Sequence, residues 1–138
     1  DFLDQARHNP QALVCGYPVY DQTVPLARLW GRELTNFWVH VNTRSKALKD
    51  AMCGFRVYPI AQTLPVLPSV RTRRMDFDPD IAVRLLWAGV PVINRPVRVT
   101  YPKDGISHFR GFSDNMRISR LHAGHFCTML LRRMGLAK

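Results

Sequence analysis

The sequence predicts an α/β domain in which a mixed sheet is flanked by helices. Apolar runs rich in β-prone residues alternate along the chain with segments of helical periodicity, an order typical of layered α/β structures. The chain has 138 residues and no internal repeat or low-complexity segment, which indicates one domain over residues 1–138.

The first third of the chain predicts a helix, a strand and a long helix. Residues 1–8 have the pattern of a helix end, and "ALVCGYPVY" (12–20) that of a buried strand. An amphipathic helix is predicted over 24–48, with Thr23 as its cap and Pro25 in its first turn. Its apolar stripe, a pattern more often found in a core or partner contact than in a cofactor site, consists of Leu26, Trp30, Leu34, Phe37 and Val41.

The remainder predicts three further strands, one of them short, and two helices around a connector. Residues 54–60 alternate as a strand, "AQTLPVLPSV" is a connector because of its prolines, and "RTRRMDFDPD" holds a short strand and a turn. A helix capped by Asp78 ends at Gly89, and residues 90–101 form the clearest strand. After the loop "PKDGISHFRGF", Ser113 caps a final helix over about 114–133.

The net charge of +10 calls for an anionic partner: nucleic acid, an anionic membrane face or a phosphorylated substrate. Sixteen of the twenty basic residues are arginines, and they occur in small groups rather than in one tract. Arginine's planar fork suits phosphate and carboxylate groups. Scattered arginines therefore favour a phosphorylated substrate over nucleic acid, although a solvated basic surface is the simpler alternative.

Three cysteines lie far apart, at Cys15, Cys53 and Cys127, so neither a disulfide framework nor a zinc site is indicated, and a reducing compartment fits best. No apolar run approaches the ~20 residues that span a bilayer, and no signal peptide is visible. The chain lacks an initiator methionine and opens on what resembles a helix already under way. We interpret it as a fragment of a longer protein.

Three loops carry candidate chemistry. Asp50 and Arg56 flank Gly54, so Asp50 is a candidate general base and Arg56 a candidate phosphate clamp. Local sequence alone favours a turn for Asp50 and a surface ion pair for Arg56. His108 and Arg110 lie on a glycine-flanked loop where they are candidates for gripping an anion.

Two other groups of ligand-type residues do not predict a metal site. Asp76, Asp78 and Asp80 are close in sequence, but Asp78 has a capping role and Asp80 lies in a first helical turn, where the helix dipole favours acids. His122 and His125 share a helix face, and no third ligand accompanies them.

Taken in order, two segments resemble a known family. "DAMCGFRVYPI" followed by "MDFDPDIAVRLLWAGVPVINRPVRVTYPKDGISHFR" is similar to the C-terminal half of the catalytic domain of family 2 glycosyltransferases. The likeness is closest to the dolichol-phosphate-mannose synthase-like branch and its bacterial relatives. It extends upstream to "LVCGYPVYDQTVPLARLWGRELTNFW" and covers roughly residues 1–113.

The resemblance implies a partial GT-A fold, a Rossmann-like α/β sandwich that transfers a sugar with inversion from a nucleotide-sugar donor. Mg or Mn, held with the donor diphosphate by an Asp-x-Asp motif, is expected in the full-length enzyme. That motif is missing here, because Asp76-Phe77-Asp78 lies too late in the chain. The chain would be the acceptor-side half, inactive alone, acting at the cytoplasmic face of the membrane in cell-envelope biogenesis.

The resemblance also implies roles for single residues. Asp50 matches the acid before the Gly-Phe-Arg step, and Asp80 matches an acidic position of a Glu-Asp catalytic motif; both are candidate bases. The set of candidate phosphate or substrate contacts consists of Arg56, His108, Arg110, Arg28 and Arg32. The acceptor would be a phosphorylated or lipid-linked molecule, or a hydroxyl group.

Two alternatives stay open. A small basic module could instead bind nucleic acid or another anionic surface through arginine and aromatic side chains, although no recognition motif is present. The chain could also assemble as a homo-oligomer, because half of a GT-A domain would leave a sheet edge and apolar surface for a second copy to cover.

Overall fold

A computed structural model describes residues 1–21, 24, 26–100 and 111–136 of the chain. It is an α/β structure in which a three-stranded mixed sheet is flanked by helices, so the predicted fold class is confirmed at that level. The predicted caps at Thr23 and Pro25 and the candidate anion-binding residues His108 and Arg110 lie outside the described residues.

Three strands form an open sheet in the order β2-β1-β3: β1 (Leu13–Tyr20), β2 (Arg56–Val57) and β3 (Val92–Val99). β1 and β3 are parallel over their whole length, whereas β2 is antiparallel to β1 through the pairs Val14↔Val57 and Cys15↔Arg56. The predicted strand over 54–60 is therefore reduced to two residues, and it ends where α3 (Ile60–Thr63) begins.

The helices agree with the predicted order but differ at their ends. α1 spans Phe2–His8, α2 Leu26–Thr43, α4 Phe77–Trp87 and α5 Gly111–Arg133, with a 3₁₀ turn at Leu67–Ser69. The short strand predicted in "RTRRMDFDPD" is absent, since residues 71–75 have no strand structure. In the described ranges, no helix combines the length and apolarity required to cross a bilayer.

Two predicted caps are wrong. Asp76 occupies the N-cap position of α4, which places Asp78 inside the first turn, and Ser113 lies within α5 because that helix begins at Gly111. The predicted C-terminal end of α4 is close to the observed one. Gly89 follows the helix with a φ of +77°, a conformation that glycine adopts without strain.

Most of the apolar stripe of α2 faces solvent, so it is not a core contact, and its alternative role as a partner contact stays a prediction. Trp30 is 77% exposed and Leu26 74% exposed. The opposite face, which carries polar side chains, is the buried one and consists of Thr35, Asn36, Val39 and Asn42. Asn36 shows why, because its Oδ1 accepts the backbone N–H of Ala51 at 2.9 Å.

The hydrophobic core lies between β1 and the helices α2 and α4. Leu13 and Cys15 from β1 pack there with the apolar face of α4 and with side chains from the segment after α2. The buried residues of this core are Leu13, Cys15, Val39, Leu48, Ala51, Ile81, Ala82, Val83, Leu85 and Val90. The core thus anchors the segment around Ala51 beside the sheet.

Candidate functional site

Two acids and two arginines gather beside the carboxyl-terminal half of β1, and we call Arg32, Asp50, Arg56 and Asp78 the carboxylate cluster. The strand register brings these residues together, because Cys15 pairs with Arg56 and the Gly16 N–H donates to the carbonyl of Phe55 at 2.8 Å. The segment preceding β2 therefore runs alongside the end of β1. Ligand sites in α/β sheets collect at this end of the strands.

Asp50 forms a turn. Its Oδ1 accepts hydrogen bonds from Arg32 Nη1 at 2.5 Å, from the Met52 N–H at 2.9 Å and from the Cys53 N–H at 2.6 Å. Its side chain is 4% exposed. The turn that local sequence favoured is thus present, and three donors on one oxygen of a buried carboxylate give Asp50 a structural role.

Arg32 extends this arrangement toward the end of β1. Its guanidinium lies 5.8 Å from the ring centroid of Tyr20, within cation–π range, while it binds Asp50. Arg28, the other arginine of this helix face, is exposed in the first turn of α2.

Arg56 binds backbone carbonyls. Nε donates to Cys53 O at 2.9 Å, Nη1 to Asp78 O at 2.7 Å and Nη2 to Ala51 O at 2.7 Å. The guanidinium thereby joins the segment preceding β2 to the first turn of α4. In place of a surface ion pair, the structure gives Arg56 three internal hydrogen bonds.

Asp78 is the member of the carboxylate cluster to which the sequence analysis assigns only a helix-capping role. It is half-buried, and within the described ranges its carboxylate accepts no hydrogen bond. A Cβ added to Gly54 would lie 3.4 Å from Asp78 Oδ2, so the glycine leaves room beside the carboxylate. Burial raises the pKa of Asp78, the Arg56 guanidinium opposes that rise, and the Asp50 carboxylate adds to it.

Asp80 lies apart from the carboxylate cluster, at a buried junction of three segments. Its Oδ2 accepts from Thr72 Oγ1 at 2.9 Å, and its Oδ1 from Arg84 Nε at 2.6 Å and from His125 Nε2 at 2.9 Å. Burial raises the pKa of Asp80, but these hydrogen bonds outweigh it and the pKa is lowered. The carboxylate therefore stays ionised and ties α5 to α4.

The aspartate trio does not converge on one point. Asp76 Oδ1 accepts the Arg74 N–H at 3.2 Å, Asp78 faces Gly54, and Asp80 binds Thr72. Among the described residues, no group of three or more His, Cys, Asp or Glu side chains is arranged to hold a metal ion.

A signal for Asp78 exists in the sequence, but it is indirect. Gly54 and Asp78 are 24 positions apart, and nothing local pairs them; only Arg56, two positions after Gly54, hints at a shared site. No protein-family model, no curated protein and no solved structure matches this chain. The geometry of the carboxylate cluster is therefore the basis for assigning it a chemistry.

Proposed function

We propose that this chain is the acceptor side of an inverting glycosyltransferase of the family 2 type, with Asp78 as the general base. The nucleotide-sugar donor would be held chiefly by a nucleotide-binding half outside residues 1–138. The observation that carries the proposal is the half-buried Asp78 carboxylate, whose pKa is raised beside Gly54 at the carboxyl end of β1.

In this reaction the main role of this chain is to place a general base beside the acceptor hydroxyl group. The acceptor hydroxyl gives its proton to Asp78 while its oxygen attacks the sugar C1 from the side opposite the nucleoside diphosphate. The bond from C1 to the diphosphate oxygen breaks, and the diphosphate leaves with the electron pair. A raised pKa suits this role, because a base works best when its pKa approaches the operating pH.

A base at this point favours a hydroxyl acceptor over a phosphate acceptor. A phosphate monoester, with a second pKa near 6, is already largely ionised at neutral pH, so its oxygen needs no proton removed. The expectation of a phosphorylated or lipid-linked acceptor is thereby narrowed to one that reacts through a hydroxyl group.

The divalent metal of such enzymes does not fit the acids of this segment. Asp76 and Asp80 are both buried and hydrogen-bonded within the protein, and Asp78 is the only half-buried member of the trio. When bound, Mg or Mn would neutralise charge on the leaving diphosphate, and its ligands would come from the nucleotide-binding half. We assign this chain no step through the metal.

The test is kinetic, on the full-length protein that carries this segment. Asp78→Asn should lower kcat by about 10²- to 10⁴-fold, the usual contribution of a general base, while the KM for the donor stays unchanged. Asp76→Asn is the matched control, because its amide oxygen can still accept the Arg74 N–H. Wild-type turnover by Asp78→Asn, or equal losses in both variants, would exclude Asp78 as the base.

The contacts of the arginines argue against the alternative function, a small basic module that binds nucleic acid or another anionic surface. Arg32, Arg56 and Arg84 bind groups within the protein, which leaves fewer of them to meet an anionic surface. Salt-sensitive oligonucleotide binding by the chain, unaffected by Asp78→Asn, would favour the rival.

A further inference from the structure

A groove between α2 and α5 lies outside the carboxylate cluster and shares no residue with it. Its volume is about 620 Å³, within the ~300–1,000 Å³ typical of small-molecule sites. Its walls are chiefly apolar and include Leu34, Trp38, Ile118 and Phe126. The rings of Trp38 and Phe126 meet edge to face across it, with centroids 6.2 Å apart.

One polar side chain of this groove, His122, is buried without a partner. It is 4% exposed, and neither Nδ1 nor Nε2 has a hydrogen-bond partner among the residues that the structure describes. Such groups are rare in folded proteins, because an unpaired buried polar atom costs about 1–3 kcal/mol. An unpaired imidazole nitrogen in a chiefly apolar wall is the feature that a ligand would satisfy.

The charge state of His122 restricts what that ligand is. Burial chiefly, and the nearby His125 in addition, together lower its pKa to about 4. At neutral pH the ring is uncharged and therefore offers one N–H donor and one nitrogen acceptor. A hydroxyl group can pair with either nitrogen, as a donor to one or as an acceptor from the other, whereas a carboxylate offers acceptors alone and would lose its hydration among apolar side chains.

We propose that the groove between α2 and α5 binds an uncharged, largely apolar molecule that carries one hydroxyl group. The hydroxyl pairs with one ring nitrogen of His122, and the apolar part lies against Leu34, Trp38 and Phe126. This proposal does not depend on the glycosyl transfer proposed above, because neither the donor nor the carboxylate cluster takes part.

Three probes that differ only in their polar group test the ligand class: 4-butylphenol, 4-butylanisole and 4-butylbenzoate. Titrated into the ¹⁵N-labelled 138-residue chain at pH 7, the phenol should bind saturably and shift amides of α2 and α5. The ether, which cannot donate to His122, should bind roughly 5- to 100-fold more weakly, the range expected for one unpaired buried group. The benzoate should be the weakest of the three.

Two glycines provide a matched pair of variants. Gly31 lines the groove, Gly124 does not, and a Cβ added to either would meet nothing within 4 Å. Leucine stabilises a helix by roughly 1 kcal/mol relative to glycine, so neither substitution should unfold the chain. Gly31→Leu should abolish binding of phenol and ether alike, and Gly124→Leu should bind as the wild type does.

A variant of the histidine and a chemical readout complete the test. His122→Phe should retain binding but lose the preference for phenol over ether. Cys127 is exposed and lines the groove, while Cys53 does not. Saturating 4-butylphenol should therefore slow the alkylation of Cys127 by iodoacetamide, followed by peptide mass spectrometry, and leave Cys53 unaffected.

Three results would overturn the proposal. The first is no saturable shift with 4-butylphenol, which would mean that the groove holds water only. The second is equal affinity for phenol and ether in the wild type, which would remove His122 from recognition. The third is undiminished binding by Gly31→Leu, which would place the probe elsewhere.

Discussion

His122 should make the stability of this protein depend on pH in a predictable way. Its pKa falls from 6.5 in the unfolded chain to about 4 in the fold because burial disfavours the charged ring. Between those values the unfolded state binds more protons than the folded state, so the free energy of unfolding decreases as the pH falls below 6.5. The loss is complete near pH 4, where the folded state also takes up the proton.

The size of the effect follows from the two pKa values. One pKa unit corresponds to about 1.4 kcal/mol, so a fall from 6.5 to about 4 is worth about 3 kcal/mol in total. By pH 5 about 2 kcal/mol of this should already be lost. His122→Phe cannot be protonated, and its stability should lack this part of the pH dependence. At pH 7 it should be at least as stable as the wild type, because it removes two unpaired buried nitrogens.

Urea unfolding followed by tryptophan fluorescence at pH 7, 6 and 5 measures the difference directly. Other groups titrate in both proteins, so the comparison of variant with wild type isolates His122. His8→Gln, which changes an exposed histidine on α1, should follow the wild-type profile. A stability gap between His122→Phe and wild type that stays the same from pH 7 to pH 5 would refute the reasoning.

Three further variants test the packing around the sites. Asp80→Asn should destabilise the fold by about 3 kcal/mol at pH 7, because it removes the charge from a buried ion pair. The fold lowers the pKa of Asp80, so this loss of stability should become smaller as the pH falls below 3.8. Urea unfolding midpoints measure the loss. Gly16→Ala should cost about 1–3 kcal/mol in the same measurement, because its Cβ would lie 3.0 Å from the backbone oxygen of Phe55. Gly124→Ala, with open space around it, should instead gain about 1 kcal/mol; losses of equal size in both glycine variants would contradict the packing argument.

Local sequence patterns predict most of the helices and strands, but they do not predict how these elements pair and pack. The β-prone runs predict β1 and β3, and Gly89 marks the end of α4 with its positive φ. The parallel pairing of β1 with β3 joins residues 79 positions apart, as in Leu13↔Val92, and the pairing of β1 with β2 joins residues 43 apart, as in Val14↔Val57. No local pattern encodes such pairings.

Helix α2 shows that hydrophobic periodicity can predict the wrong face of a helix to be buried. Hydrophobic spacing predicts that the side bearing Trp30 is buried, but the fold buries the side bearing Asn36 and Asn42. These amides make specific hydrogen bonds, to the Ala51 N–H and to the His122 carbonyl. A pattern that counts only apolar residues cannot detect a helix docked through its polar groups.

The candidate site was predicted in part. Asp50 and Arg56 were identified from their positions around Gly54, and the fold does bring them together, but as a turn and a backbone tie. Asp78 was assigned to a cap because its neighbours resembled a helix start. Asp78 lies beside Gly54, where Arg56 donates to the Asp78 backbone carbonyl, a contact between residues 22 positions apart that the sequence does not reveal.

The attachment of α5 has a consequence for how this protein opens. Of its 23 residues, Ile118 is the single buried apolar side chain; the others buried on this helix are Asp114, His122 and His125. Helix α4, in contrast, is held by a continuous aliphatic face. Acid and ionic strength act on ionisable contacts far more than on aliphatic packing. We therefore expect acid and high ionic strength to loosen α5 under milder conditions than those that unfold the sheet and α4.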